Sequence, residues 1–502
     1  MAERSREVIR AGGYVSAGAP TLLLMACVLA GMAWPWPARG QETSFVVEGV
    51  PAGKLKDLIK AYPSATPQLK NLGGGSQVLS VSGESPVGLQ LRQLATDYGG
   101  SVAEWRADYT SLLVPASLAE LTEAQQERVS GLSASRLGVK TSIVKLAPEA
   151  LRNYALQKGF GVADRMANPK SFSIGMPGDD VVQASRSSIE KTAQRTVWEG
   201  HVDGGDTILI SDPAGVRGSI RSGDSVKVIF PVGGDYSAIS EYSFRKLPPE
   251  HPEGIEAGDD SGSNGELMDK PKPEPIGLLE NVTIDLLVVY TAEAAGLYAD
   301  AEDLALDLAV EEANRSFVTS RIGGLKLRVV RAYKGSLPES GDWEEYMDRL
   351  VGTGDGYLDE VHVEREKYKA DVVVLLVADD SSCGYAKKVF ATKKTAFAVV
   401  NMQCAVVNYS LAHEIGHLIG ARHDVCVEKR NDPFRYGHGY ITPDNSWRTL
   451  MAYGDCCASC VREGVWSSPS LTHKGVPAGN NDLANDARVI SEYAKRVSRF
   501  MQ

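Results

Sequence analysis

The stretch HEIGHLIGARHD, residues 413–424, holds three of the eight histidines in a chain of 502 residues. His413 and His417 are four apart, so on a helix they leave the same face one turn above the other, and their imidazoles can hold one ion together. Glu414 follows about 100° further round, where it reaches a water on that ion without ligating it. His423 decides the local geometry. On an unbroken helix it would point roughly 240° away from His417, so the helix has to stop, and Gly420 can stop it because glycine takes the positive φ of a helix C-cap. Three neutral imidazoles with a free fourth position describe a catalytic site for one Zn2+, whereas structural zinc sites are closed by four protein ligands. Zinc there lowers the pKa of a bound water and polarises a carbonyl, and Glu414 would carry the water's proton to a departing amine. That chemistry is peptide hydrolysis. Nothing in the pattern specifies a structural Ca2+.

The extended pattern HExxHxxGxxHD resembles the signature of the metzincin zinc peptidases, which place a methionine-containing turn beneath the zinc-binding histidines. Met451, in RTLMAYG, looks like that methionine. Tyr453 matches a tyrosine that in some metzincins, such as astacins and serralysins, hydrogen-bonds the tetrahedral intermediate; the resemblance implies a phenolic oxyanion donor. Asp424, directly after the third histidine, is expected to bond to the turn backbone and fix the site. DLLVVYT, CGYA, the run from FAVVN to GARHD, YGHGY, WRTLMAY and WSSPSLTHKGVPAG, in this order, are similar to the bacterial peptidyl-Asp metalloendopeptidase family, the Asp-N type, over roughly residues 280–502. The resemblance implies a secreted endopeptidase that cuts peptides or proteins on the amino side of aspartate, and sometimes of glutamate or oxidised cysteine. It also implies a disulfide between Cys383 and Cys404. Selectivity for an acidic side chain needs a cation or several donors in the pocket beside the zinc; Arg448, and Arg435 or Lys474, are the candidates.

Six cysteines, Cys383, Cys404, Cys426, Cys456, Cys457 and Cys460, are confined to the last 120 residues, which indicates up to three disulfides and an oxidising compartment. Cys426 is expected to pair with one of the CCASC cysteines, leaving the other two for each other or for nothing. Arg4, Arg6 and Arg10 precede an apolar run that ends in small residues before Gln41, as in an export signal over residues 1–40. A retained anchor is the alternative; otherwise the membrane is met only through the signal. A net charge of −11 argues against a nucleic-acid or anionic-membrane binder.

The elements that must position the histidines follow from periodicity. Past residue 280, NVTIDLLVVYT, LKLRVVRAY, DVVVLLVADD and TAFAVVN read as strands, and residues 299–322 and 356–370 as helices. Together they make an α/β (α+β) domain with a mixed, twisted sheet over 280–502, the histidines on its last large helix. Residues 41–117 read as a small α+β module that weakly resembles the short N-terminal domain of secretins and TonB-dependent receptors. Residues 118–248 read as a β-rich pro-segment, an antiparallel meander in which lone His201 is a surface residue. Residues 249–279, acidic and proline-rich, read as an exposed linker where the chain is processed.

No cysteine occurs between Gln41 and Asp380, so the pro-segment cannot silence the zinc with a thiolate; a carboxylate from it, or steric blockage, are the routes left. Two N-terminal domains exceed what inhibition needs, which points the first toward an envelope component or another protein. His362, His438 and His473 lie outside the motif spacing and carry no expected role. Two other readings compete: a broad-specificity adamalysin-like metzincin, and a non-catalytic cell-envelope binding protein. An intact Glu414 argues against the second, which has no chemical need of a base.

Overall fold

The computed structural model describes residues 42–48, 51–61, 68–73, 76–82, 90, 93, 94, 97, 101–105, 110–133, 138–146, 171–175, 181–192, 195–252, 280–298, 302–458 and 460–502. The segment read as an export signal lies outside them. Among the described residues no helix is long and apolar enough to cross a membrane. The chain divides at Ala107 into two units.

In the first unit, β1 (Glu42–Glu48), β2 (Gln68–Gly73), β3 (Ser76–Ser82) and β4 (Ser101–Trp105) form an antiparallel sheet in the order β2-β3-β1-β4. Helix α1 (Ala52–Ala61) follows the Pro51 turn and buries Leu55.

In the second unit the meander is longer than its periodicity shows. β5 (Thr110–Pro115), β6 (Gly138–Leu146), β7 (Ser171–Gly175), β8 (Val181–Lys191), β9 (Thr196–Val202), β10 (Gly205–Asp212), β11 (Gly215–Ser222), β12 (Ser225–Gly233) and β13 (Tyr236–Ser243) close into a barrel. β5, which falls within residues 41–117 read as the small module, pairs with β6 and, in parallel, with β7. Alternate residues, among them Leu113, Val144, Ile174, Trp198, Leu209, Ile220, Ile229 and Ile239, share one buried cluster. Helix α2 (Glu123–Ser133) lies against β12 and β13, with Gln125 donating to Gly233 O and Arg128 to Val232 O.

The main elements of the remainder are β14 (Val282–Tyr290), α3 (Glu302–Thr319), β15 (Leu325–Lys334), α4 (Trp343–Val351), α5 (Glu360–Tyr368), β16 (Val372–Val377), β17 (Gly384–Ala386), β18 (Phe397–Asn401), α6 (Met402–Val407), α7 (Ser410–Ile419) and α8 (Asp486–Val497). The sheet order is β15-β14-β16-β18-β17, parallel except for the edge strand β17. Every residue of β16 and β18 is buried, as strands covered on both faces must be. Leu287, Val289, Val373 and Leu375 face α4 and α5 in one cluster, while Leu286, Val288, Val374 and Leu376 join α3, α7 and α8 in another. The domain is therefore an α/β sandwich with a mixed sheet, but α7 is not its last large helix: α8 follows, capped by Asn485 and burying Val489, Ile490, Tyr493, Ala494 and Val497.

Barrel and sandwich are joined along α3. Arg195 pairs with Asp307 and Glu311 at 2.8 Å each, Arg217 donates to Asp307, and Ser219 bonds to Glu312. Arg221, buried over the Tyr409 ring, donates to Val406 O and Val407 O at 2.7 Å each, at the end of α6. Beyond β13 the chain does not leave the surface as an exposed linker would. Pro249, Glu250 and His251 lie over the histidine segment, and His251 is buried.

Candidate active site

All ten residues of α7 are buried, its helix presenting His413 and His417 one turn apart. The helix stops at Gly420, with φ +135°, where a Cβ would also meet the Phe434 ring at 2.7 Å, so both conformation and space demand glycine. The chain then turns back, Arg422 N bonding to Gly437 O, and delivers His423 to the same point. The Nε2 atoms of His413 and His423 lie 3.1 and 2.9 Å from that of His417.

Each ring is aimed from behind. His413 Nδ1 is 2.9 Å from Leu450 O and His417 Nδ1 is 2.9 Å from Ala421 O, so those nitrogens carry the protons and Nε2 carries the lone pair. His423 Nδ1 is 3.4 Å from Glu428 Oε2, and its carbonyl is held by His438. Burial holds all three rings well below the usual histidine pKa, hence neutral. Three lone pairs converging at hydrogen-bond distance in a buried site repel one another unless a cation lies between them. The donor set, all imidazole, suits Zn2+.

Met451 is fully buried beneath α7, its sulfur against Gly416, where a Cβ would come within 2.8 Å of it. Asp424 accepts from Cys426 N at 3.0 Å and from Tyr453 N at 2.9 Å, tying the third-histidine turn to the segment after Met451. Tyr453 lies 4.2 Å, ring to ring, from His423, and its buried hydroxyl has no hydrogen-bond partner. Burial raises that phenol well above its ordinary pKa and raises the Glu414 carboxyl too. Glu414 Oε2 is also unpartnered. Gly384 of β17 backs Glu414 so closely that a Cβ would meet its Oε1 at 2.2 Å.

A fourth imidazole stands over the trio. His251 has ring centroids 5.7, 5.3 and 4.8 Å from those of His413, His417 and His423, and one ring nitrogen of each of the four lies within 4.8 Å of all the others. Neither His251 nitrogen has a hydrogen bond, though Nε2 is 3.6 Å from Glu414 Oε1. The backbone beside it is tied to the edge strand: Cys383 N donates to Pro249 O at 2.8 Å and Gly384 N to Glu250 O at 2.9 Å. Sequence reasoning missed His251. Its only local sign was a histidine among prolines and acids in a chain with few histidines.

Against known proteins, residues 280–459 match the model of metallo-peptidase family M12. A peptidyl-Asp metalloendopeptidase of Xanthomonas campestris pv. campestris is 35% identical over 298 residues, 58% of this chain and 69% of that protein. One of Stenotrophomonas maltophilia is 34% identical over 64% of this chain and 80% of its own length. The chain belongs to the peptidyl-Asp metalloendopeptidase family. A shorter member, from Pseudomonas fragi, is 31% identical over 36% of this chain and 99% of its own. The chain is accordingly a metalloendopeptidase, and the imidazole cluster is where such an enzyme would hold its metal.

Disulfides join Cys383 to Cys404, Cys426 to Cys456 and Cys457 to Cys460. Of the candidate pocket cations, Arg435 is exposed and Lys474 pairs with Glu463, while Arg448 turns inward to Glu250. His362 bonds to Gly352 O and His473 to Glu463.

Proposed function

We propose that the chain is a secreted zinc endopeptidase, made as a proenzyme, that hydrolyses peptide bonds on the amino side of aspartate. The observation that carries the reading is the convergence of three backed, neutral imidazoles beside the buried carboxylate of Glu414, whose Oε2 has no hydrogen bond, and an unpartnered phenol, Tyr453. His413, His417 and His423 would hold one zinc ion. When bound, zinc supplies Lewis-acid activation of a water and of the scissile carbonyl. Glu414, its pKa raised by burial, takes the proton of the attacking water and passes it to the leaving amine. Tyr453, kept protonated by the same burial, donates its hydroxyl to the developing oxyanion. Asp424 holds the Tyr453 backbone, and Met451 supports α7 from below.

His251 fits the role of intramolecular inhibitor. An imidazole with both nitrogens free, buried above the trio, would complete a four-ligand shell and leave no corner for water. This replaces the thiolate that the pro-segment lacks, and it differs from the carboxylate or steric block expected from sequence. A broad-specificity adamalysin-like enzyme is the competing reading.

One experiment tests the proposal. The matured enzyme is incubated with a peptide library, with and without a chelator, and the cut bonds are read by mass spectrometry. Cuts before Asp that vanish with chelator are expected, and Glu414→Ala should keep its zinc while losing about 10³-fold or more of the activity. Cuts without a preference for Asp favour the adamalysin-like alternative, and undiminished activity in Glu414→Ala removes the base.

A further inference from the structure

Glu250, one residue before His251, does not point into solvent. Its Oε1 forms an ion pair with Arg462 Nη2 at 2.8 Å and accepts from Arg448 Nη2 at 3.2 Å, and its Oε2 accepts from Asn408 Nδ2 at 3.0 Å. The side chains of Arg462 and Arg448 are only 1% and 10% exposed. A two-residue parallel ladder sets them side by side, Trp447 and Arg448 facing Val461 and Arg462. Both guanidiniums are fixed from behind. Arg448 donates to Ala452 O and to Cys460 O, the latter carried by the Cys457–Cys460 disulfide, and Arg462 donates to Asn408 O.

Two guanidiniums packed this closely away from water are mutually unfavourable. Burial and the neighbouring Arg462 push Arg448 down to about 10. Arg462 also keeps a buried Nε with no hydrogen bond. An arrangement of this kind gains little from any neutral occupant, which leaves the cations uncompensated, and much from a carboxylate. Its position is as informative as its charge. The carboxylate arrives on a backbone bonded to the N–H groups of Cys383 and Gly384 at the sheet edge, one residue from the ring over the metal-binding trio. A substrate side chain flanking the scissile bond stands at the same distance along its own chain.

We propose that Arg448, Arg462 and Asn408 form the subsite that receives the acidic side chain of the substrate, and that Glu250 occupies it in the uncut chain as a substrate-like plug. This rests on the endopeptidase reading above and gives it specificity residues, two of which, Arg462 and Asn408, the sequence did not bring forward.

The test compares matured wild-type enzyme with Arg448→Gln and Arg448→Lys on peptides identical but for Asp, Glu or Asn after the cut. In wild type the ratio of kcat/KM for Asp over Asn should be large. Arg448→Gln should lower that ratio by about 30-fold or more, the scale of a lost buried charge pair, with Arg448→Lys restoring part of it. A wild type that does not cut, or cuts without regard to Asp, refutes the endopeptidase reading itself. A wild type that prefers Asp beside an Arg448→Gln with the same ratio overturns the pocket alone. The full uncut chain gives a second measurement that leaves the arginines in place. Glu250→Gln should raise its residual peptide cleavage about tenfold or more, while Glu250→Asp keeps it within about threefold; no difference between Glu250→Gln and the parent chain also overturns the pocket.

Discussion

Replacing Gly384 with alanine isolates the task assigned to Glu414. A Cβ on Gly384 would lie 2.2 Å from Glu414 Oε1, 2.8 Å from Cδ and 2.9 Å from Cγ. Ordinary contact begins at 3.4 Å, so the carboxylate must retreat by 1.2 Å. Gly384 is not among the residues with positive φ, so alanine fits the β17 backbone and the added methyl displaces the Glu414 side chain from Cγ outward, not backbone. The change should therefore be nearly silent in stability, with Tm within about 3 °C of the parent. A general base displaced by about 1 Å loses about 100-fold in rate, or about 2.7 kcal/mol in the barrier. KM should move less than kcat, since the backbone N–H that meets an extended chain is kept. Steady-state kinetics on the matured enzyme, together with zinc content and thermal unfolding, read these quantities separately. A variant with full zinc, an unchanged Tm and kcat within about threefold of the parent would refute the assignment of Glu414 as the proton carrier at this position.

Three other outcomes are expected. His251→Ala in the full uncut chain should raise cleavage of a short fluorogenic peptide about tenfold or more and change the visible spectrum of the Co2+-loaded chain, since one nitrogen donor is lost. Arg221→Met leaves Glu312, 1% exposed, buried without its cation, and frees the carbonyls of Val406 and Val407; a loss of about 3–5 kcal/mol in denaturant unfolding is expected. Replacing both Cys383 and Cys404 with alanine opens a loop of sequence separation 21 and should cost about 3 kcal/mol, read as a lower denaturation midpoint of the oxidised protein.

The histidine site was legible because its chemistry is local. His413, His417 and the stop at Gly420 lie within one helix and its cap, where periodicity and the conformational range of glycine decide the outcome. The central strands were legible because a strand buried on both faces is apolar throughout, as β16 and β18 are. What escaped depends on contacts between distant parts of the chain. His251 meets partners more than 160 positions away, and nothing in HPEG itself records them. Arg462 reads as an ordinary surface cation until the ladder beside Arg448 buries it. The closure of the barrel depends on β5 pairing in parallel with β7, and alternation along a strand shows which face is apolar but not which neighbour it will take. Helix α8 was the exception: Asn485 followed by apolar residues three and four apart was a readable signal that the strand-led reading passed over.

The plug and its imidazole belong to the same covalent half as the barrel, upstream of residues 253–279. If the chain is processed there as proposed above, a cut within that stretch would leave both groups in place, with Arg195 and Arg217 still paired to α3, until the barrel dissociates. Before the cut its effective concentration would be fixed by the covalent connection; afterwards it would be set by dilution. On the proenzyme proposal, maturation would have two steps of different order, a scission followed by a dissociation, and a freshly nicked, crowded preparation would wake only as it spreads into a larger volume.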